Sequence, residues 1–172
     1  RAVGDRRIKA LWIIATNPVV SLPEADVVKA ALESCPFVVV SDVSRLTDTT
    51  PYAHVLLPAA AWGEKDGTVT NSERRISRQR AFLDAPGEAE PDWWHVAEVA
   101  KRMGFADAFD YAGPADIFRE YAALTGADNA GSRDLDLSAL DAITPEQYAE
   151  LAPFQWPQRK AQSKTDDTTR FF

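Results

Sequence analysis

Three polar side chains stand just beyond apolar, strand-like runs. Asn17 follows "IKALWIIAT", Asp42 follows "FVVVS", and Lys65 lies in the loop after "HVLL". An amide both donates and accepts, a carboxylate offers a fixed pair of acceptors, and an ammonium is a point cation. Together they suit a nucleotide read from its base, its ribose and its phosphates. Other chemistries fail by count. Cys35 is the only cysteine, so no disulfide forms within the chain. With His54 and His95 the only histidines, a self-contained Cys/His zinc or iron–sulfur site falls short of the typical three or four ligands. Neither histidine has a partner set for catalysis, so both are expected to be structural, and Cys35 a buried small hydrophobe.

The elements that must position these groups alternate. Ile8 to Ala15 is a short, near-continuous apolar run and predicts a strand buried on both faces. "PEADVVKAALES" has helical spacing with Pro23 at its first turn. Phe37 to Val40 predicts a second buried strand, "TDTTPYA" a polar turn with helical character, and His54 to Leu57 a third strand. This βαβ order implies a parallel sheet with helices on its faces, and ligands in such sheets sit beyond the carboxyl ends of the strands. Downstream, "ERRISRQRAFL" reads as extended. "PDWWHVAEVAKRMG" reads as a helix, with Trp94, Ala97, Val99, Ala100 and Met103 on its inner stripe and Gly104 as its stop. "GPADIFREYAALTG" reads as a further helix with Pro114 at its start and Gly126 at its end, and "TPEQYAEL" as a short helix of a helical C-terminal extension. From Pro153 onward a surface arm or linker is expected.

The 172 residues fit one domain with an appendage, and 45% apolar content is enough for a core. The net charge of −7 opposes a nucleic-acid partner, which needs a basic face. No apolar run approaches the roughly 20 residues of a membrane span, and no signal peptide opens the chain, so a cytoplasmic location is expected. The first residues lack an initiator Met, and the chain is expected to be cut from something longer.

Two common phosphate signatures are missing. The turn after the first strand, "TNPVVSLPEA", holds none of the glycines of G-x-G-x-x-G, and no G-x-x-x-x-G-K-[ST] occurs. Recognition is therefore expected from side chains. In the third strand-end loop, "LPAAAWGEKDGTVTNSERR", Gly63 and Gly67 are expected to let the backbone turn around Lys65.

The segments "ATNPVVSLPEADVVKAAL" and "FVVVSDVSRLTDTTPYAHVLLPAAAWGEKDGTVTNSERRISRQRAFLDAPGEAEPDWWHVAEVAKRMGF" resemble the third domain of the molybdopterin oxidoreductases. Within that family they look most like the catalytic subunits of bacterial assimilatory nitrate reductases. The resemblance covers Ile8 to Phe118 and continues more weakly to Trp156. It implies a Rossmann-like, cofactor-binding domain over residues 1–126, with residues 127–172 as an extension and linker toward a further domain. It implies bis-molybdopterin guanine dinucleotide carrying molybdenum, one dinucleotide arm bound here, and a 4Fe-4S cluster elsewhere in the parent. By motif match Asn17, Ser41, Asp42, Lys65 and Asp92 are the cofactor contacts; no residue of the chain is assigned to catalysis or to metal. Nitrate, an electron donor and the other domains of the parent are the implied partners. The fragment alone is expected to be inactive and to lack cofactor.

Two alternatives share the resemblance: the same domain of a formate dehydrogenase, and a non-catalytic scaffold domain like that of the large iron–sulfur subunit of respiratory complex I. A free nucleotide-binding or interaction module is a fourth. Plainer roles are also open: Asn17 as a turn residue before Pro18, Asp42 as a turn cap, Lys65 as a solvated charge and Asp92 as a helix cap. Trp62, Trp93 and Trp94 are expected to serve packing, with contact to a neighbouring domain as the alternative. Glu73, Arg74 and Arg75 suit a salt-bridge network, and Arg74 or Arg75 alternatively an approach to the cofactor or to another domain.

Overall fold

A computed structural model describes residues 2–160; Arg1 and the end of the expected arm, residues 161–172, lie outside the described residues. The chain forms two compact units. The first contains the residues up to Lys65 together with Ala81–Phe109; the second contains Asp66–Arg80 and the described residues from Asp110 onward.

The first unit is the expected βαβ structure. Strands β1 (Ala10–Ile14), β2 (Phe37–Asp42) and β3 (Val55–Pro58) form a parallel sheet in the order β1-β2-β3. Helices α1 (Pro18–Ser21) and α2 (Ala25–Ser34) make the first crossover, and a loop with one 3-10 turn, Thr50–Tyr52, makes the second. The register pairs Ile14 with Ser41 and Asp42 with Pro58, so the strands end level with one another. A further segment joins that end: Glu90 donates its N–H to Pro58 O at 3.1 Å and accepts from Ala60 N at 2.9 Å, a parallel bridge that delivers α3 (Asp92–Ala100) beside the strand ends.

Burial departs from the sequence reading in several places. Val38 and Val40 are buried with Cys35, packed by Leu11, Ile13 and Ala53, while Phe37 is exposed. No β1 residue is fully buried, because β1 lies at the sheet edge. Helix α2 begins two residues after Pro23, with Glu24 left-handed at φ +58°. In α3 the buried residues are His95 and Ala97; Trp94, Val99 and Met103 of the expected stripe are exposed. The chain after Ala100 widens into a π turn, Lys101–Phe105, in which Gly104 takes φ +96°, as helix-ending glycines do.

The second unit adds a sheet that the sequence showed only as one extended segment. Strands β4 (Gly67–Thr70), β5 (Arg75–Gln79) and β6 (Phe154–Gln155) are antiparallel in the order β4-β5-β6. Asn71 Oδ1 closes the β4–β5 turn by accepting from Glu73 N at 3.1 Å and Arg75 N at 3.0 Å, and Arg74 is left-handed at φ +67°. Helices α4 (Pro114–Gly126) and α5 (Pro145–Ala149) complete the unit. Its core joins Ile76 to Phe118, Ala122, Leu137, Ile143 and Tyr148, so residues on both sides of position 126 share one core. The polar stretch after Gly126 is internally satisfied: buried Asn129 donates to Thr125 O at 3.0 Å and Leu135 O at 3.3 Å and accepts from Arg133 N at 2.8 Å. α5 carries a reciprocal cap in which Gln147 N donates to Thr144 Oγ1 at 3.2 Å and Thr144 N to Gln147 Oε1 at 2.9 Å.

Candidate functional site

The strand ends of the first unit enclose a cleft of about 270 Å³ lined by Thr16, Asn17, Asp42, Ala59, Lys65 and Asp92, among others. Four of the five expected contact residues therefore meet in one place. An adjoining hollow of about 440 Å³ shares Asp42 and Val43 with it and continues over Arg45, Leu57 and Glu88.

β1 leads into the cleft through Ala15, which takes φ +52° in place of the usual glycine. Asn17 follows as the residue before α1, and its side-chain amide is held from two sides. Thr49 Oγ1 donates to Asn17 Oδ1 at 2.6 Å, and Asn17 Nδ2 donates to Asp48 Oδ2 at 3.2 Å. Asp42 closes β2 and spends Oδ1 on the N–H of Ser44, at 2.9 Å. That bond caps the local turn at Ser44, not the "TDTT" turn that the sequence left open, and it engages one carboxylate oxygen.

Lys65 and Asp92 come from the β3 loop and from the first residue of α3. Their ion pair is 3.0 Å long and partly shielded, with the side chains 30% and 27% exposed. Asp92 Oδ2 takes the ammonium, while Asp92 Oδ1 is buried without a hydrogen-bond partner, as are Trp93 Nε1 and His95 Nδ1. A buried carboxylate oxygen in that state costs free energy until a donor reaches it. His95, one helical turn after Asp92, is buried. Burial pushes its imidazole below the ordinary histidine range, against the opposing pull of the Asp92 and Glu90 carboxylates.

Ser41 is not among the cleft residues. Its side chain is 1% exposed and accepts the Trp12 indole N–H at 2.8 Å, while its carbonyl accepts from Ala15 N at 3.0 Å. Ser41 ties β2 to β1 directly behind Asp42.

The β3 loop uses its glycines differently from the sequence reading. Neither Gly63 nor Gly67 has a positive φ. Gly63 allows close approach: a Cβ there would lie 2.8 Å from Phe82 Cζ, and its carbonyl accepts from Phe82 N and Leu83 N. Glu64 closes its own turn through Ala61 N at 2.8 Å, and Asp66 pairs with the buried Arg78, which stacks 3.9 Å from the Tyr148 ring centroid. Trp62 is 62% exposed, so it packs no core among the described residues. His54 has a structural bond, its Nδ1 accepting Val38 N–H at 3.0 Å.

Glu73 and Arg75 form an ion pair, while Arg74 pairs with Asp134 at 3.9 Å. Arg75 Nε donates to Glu73 at 2.8 Å, which holds the Glu73 carboxyl below its usual range, and Arg74 lies 5.2 Å from the Trp156 ring. Glu73 and Arg74 line a separate pocket of the second unit. Among the described residues no group of three or more His, Cys, Asp or Glu could hold a metal ion, and no helix is long and apolar enough to cross a membrane. The sequence reading passed over Asp48 and Thr49. Their only signal was the polar run "TDTT", which any surface turn could carry.

The model of the molybdopterin oxidoreductase family matches residues 1–102. The chain is 51% identical over 94% of its length to a nitrate reductase of Klebsiella oxytoca, and 49% identical over 99% of its length to one of Shewanella frigidimarina. It is also 45% identical, over 71% of its length, to the F420-dependent formate dehydrogenase subunit alpha of Methanocaldococcus jannaschii. The aligned parts cover 19%, 18% and 18% of those proteins, so the chain spans about a fifth of the relatives it matches. On these matches the chain belongs to the molybdopterin oxidoreductase family.

Proposed function

We propose that the strand-end cleft holds one guanine dinucleotide arm of a molybdenum bis-molybdopterin guanine dinucleotide, within a larger enzyme that reduces nitrate to nitrite. The observation that carries this reading is the meeting of Asn17, Asp42, Lys65 and Asp92 in one cleft at the carboxyl ends of parallel strands. The residues fit the group. Asp92 Oδ1 is a buried acceptor awaiting a donor, and Asp42 keeps an oxygen beyond its Ser44 bond for the N–H edge of guanine or a ribose hydroxyl. Lys65 supplies positive charge for an anionic part of the ligand and already has Asp92 as counter-ion. Ser41 acts from behind, by tying β2 to β1 where Asp42 emerges.

When bound, the cofactor supplies two-electron redox chemistry at molybdenum. The chain's own part is to bind and orient the dinucleotide, which is the usual division of labour. The other domains of the parent, a 4Fe-4S cluster carried there, nitrate and an electron donor are the remaining partners, in the cytoplasm. Nitrate is favoured over formate by the higher identity and longer coverage of the two nitrate reductases. The formate reading rests on the archaeal relative.

The test is made on the full-length enzyme. Wild type should oxidise reduced viologen when nitrate is added and should not reduce viologen with formate; the reverse pattern selects the formate reading. Asp42→Ala should lower molybdenum content and activity together. Wild-type levels of both would remove Asp42 from the site.

A further inference from the structure

We infer that Thr49 is a positioning residue that sets the orientation of the Asn17 amide toward the ligand, with Asp48 as its counterpart on the other side. The inference rests on the cofactor reading of the cleft and adds two residues to it.

The donor order follows from the partners. Thr49 is 0% exposed, and its Oγ1 accepts the N–H of Val19 at 3.4 Å. Its own hydrogen is then directed to Asn17 Oδ1 at 2.6 Å. Asp48 is acceptor-only, so the Asn17 group 3.2 Å from its Oδ2 must be the NH₂. Rotating the amide by half a turn would set a carbonyl oxygen against a carboxylate. One orientation therefore survives, and it leaves one Nδ2 hydrogen and one Oδ1 lone pair for a ligand.

The loop that carries Thr49 does not depend on that hydroxyl. Thr47 and Thr50 brace it by reciprocal bonds, Thr47 N to Thr50 Oγ1 at 3.1 Å and Thr50 N to Thr47 Oγ1 at 3.2 Å, and Thr50 Oγ1 also donates to Arg45 O at 3.0 Å. The Thr49 hydroxyl is thus the group that joins this braced loop to the cleft.

The experiment measures GMP affinity of the full-length enzyme purified without cofactor, in a double-mutant cycle. Thr49→Ser should bind GMP as wild type does. Thr49→Val, which keeps the shape and removes the hydroxyl, should weaken binding about tenfold, the scale of one hydrogen bond. In an Asn17→Ala background the same change should cause no further loss, because the hydroxyl reaches the ligand only through the amide; its other bond, accepted from Val19 N, lies within the fold. Asp48→Ala, at an exposed position, should weaken binding less, and that loss too should vanish in Asn17→Ala. Unchanged affinity in Thr49→Val, or losses that multiply in the double variants, would overturn the positioning role while leaving the cofactor reading in place. Wild-type GMP affinity in Asn17→Ala would remove Asn17 from the site and overturn the positioning role with it.

Discussion

The Lys65 ammonium lies 3.0 Å from the Asp92 carboxylate, 27 positions further along the chain. The pair joins the β3 loop to the first turn of α3 and leaves Asp92 Oδ1 buried and unpartnered. Ion pairs that remain partly solvated contribute little to stability, so Lys65→Met should cost the apo enzyme no more than about 1 kcal/mol in chemical denaturation. Its effect on GMP affinity should be larger, about tenfold or more, because a charged donor to an anionic ligand is lost. A stability loss with unchanged GMP affinity would make the pair purely structural.

His95 predicts an acid-side instability. Its folded imidazole is held below the value of 6.5 that serves for the unfolded chain, chiefly by burial. As pH falls through that value the unfolded state takes up a proton that the folded state refuses. The contribution is therefore intact above about pH 6.5 and lost below it. Between pH 7 and pH 5 the wild-type melting temperature should fall more steeply than that of His95→Phe. The difference in slope is bounded by one proton, about 1.4 kcal/mol per pH unit. Parallel curves would show that His95 titrates alike in both states.

Ala15 holds a left-handed backbone at φ +52°. That conformation costs an L-residue roughly 1–2 kcal/mol, and glycine avoids it at an entropic cost of about 0.5–1 kcal/mol. Ala15→Gly should therefore leave stability unchanged or raise it by up to about 1 kcal/mol, while Ala15→Val should lower it. Urea denaturation of the two variants separates the outcomes. A destabilised Ala15→Gly would show that the methyl group has a packing role.

Gly126 ends α4 against Ser138, where a Cβ would lie 2.7 Å from Ser138 Cβ. Ser138 N–H is held by Asp136 Oδ1 at 3.0 Å, so the neighbour cannot retreat by rotating a side chain. Gly126→Ala should destabilise by about 1–3 kcal/mol from overpacking, against a helix-propensity gain of less than about 1 kcal/mol. Gly63→Ala should cost less, since the clashing atom there is the far end of the exposed Phe82 ring.

Periodicity located β1, β2, β3, α2, α3 and α4 to within a few residues, because each carries a run of apolar residues or a helical repeat long enough to stand out. It did not resolve β4 or β6. "GTVT" and the two residues Phe154 and Gln155 are too short to show a period, and they become strands only by pairing with β5. The inner stripe of α3 differs from the helical expectation for a related reason. Nearly every position in "DWWHVAEVA" is apolar or aromatic, so helical phase alone could not select His95 and Ala97 as the buried pair.

The sequence by itself determined the parallel βαβ order, the absence of a glycine phosphate loop, and the polar residues that end each strand. Those are properties of consecutive residues, governed by local sterics and by which side chains leave water. Tertiary structure decided which groups face one another. It paired Lys65 with Asp92, enclosed Asn17 between Asp48 and Thr49, turned Ser41 inward to Trp12, and set Glu73 and Arg74 at a pocket of the second unit. Each of these contacts joins residues brought together by sheet register or loop closure. A hydrogen bond depends on a few tenths of an ångström between such groups, and that distance exists only once the chain has folded.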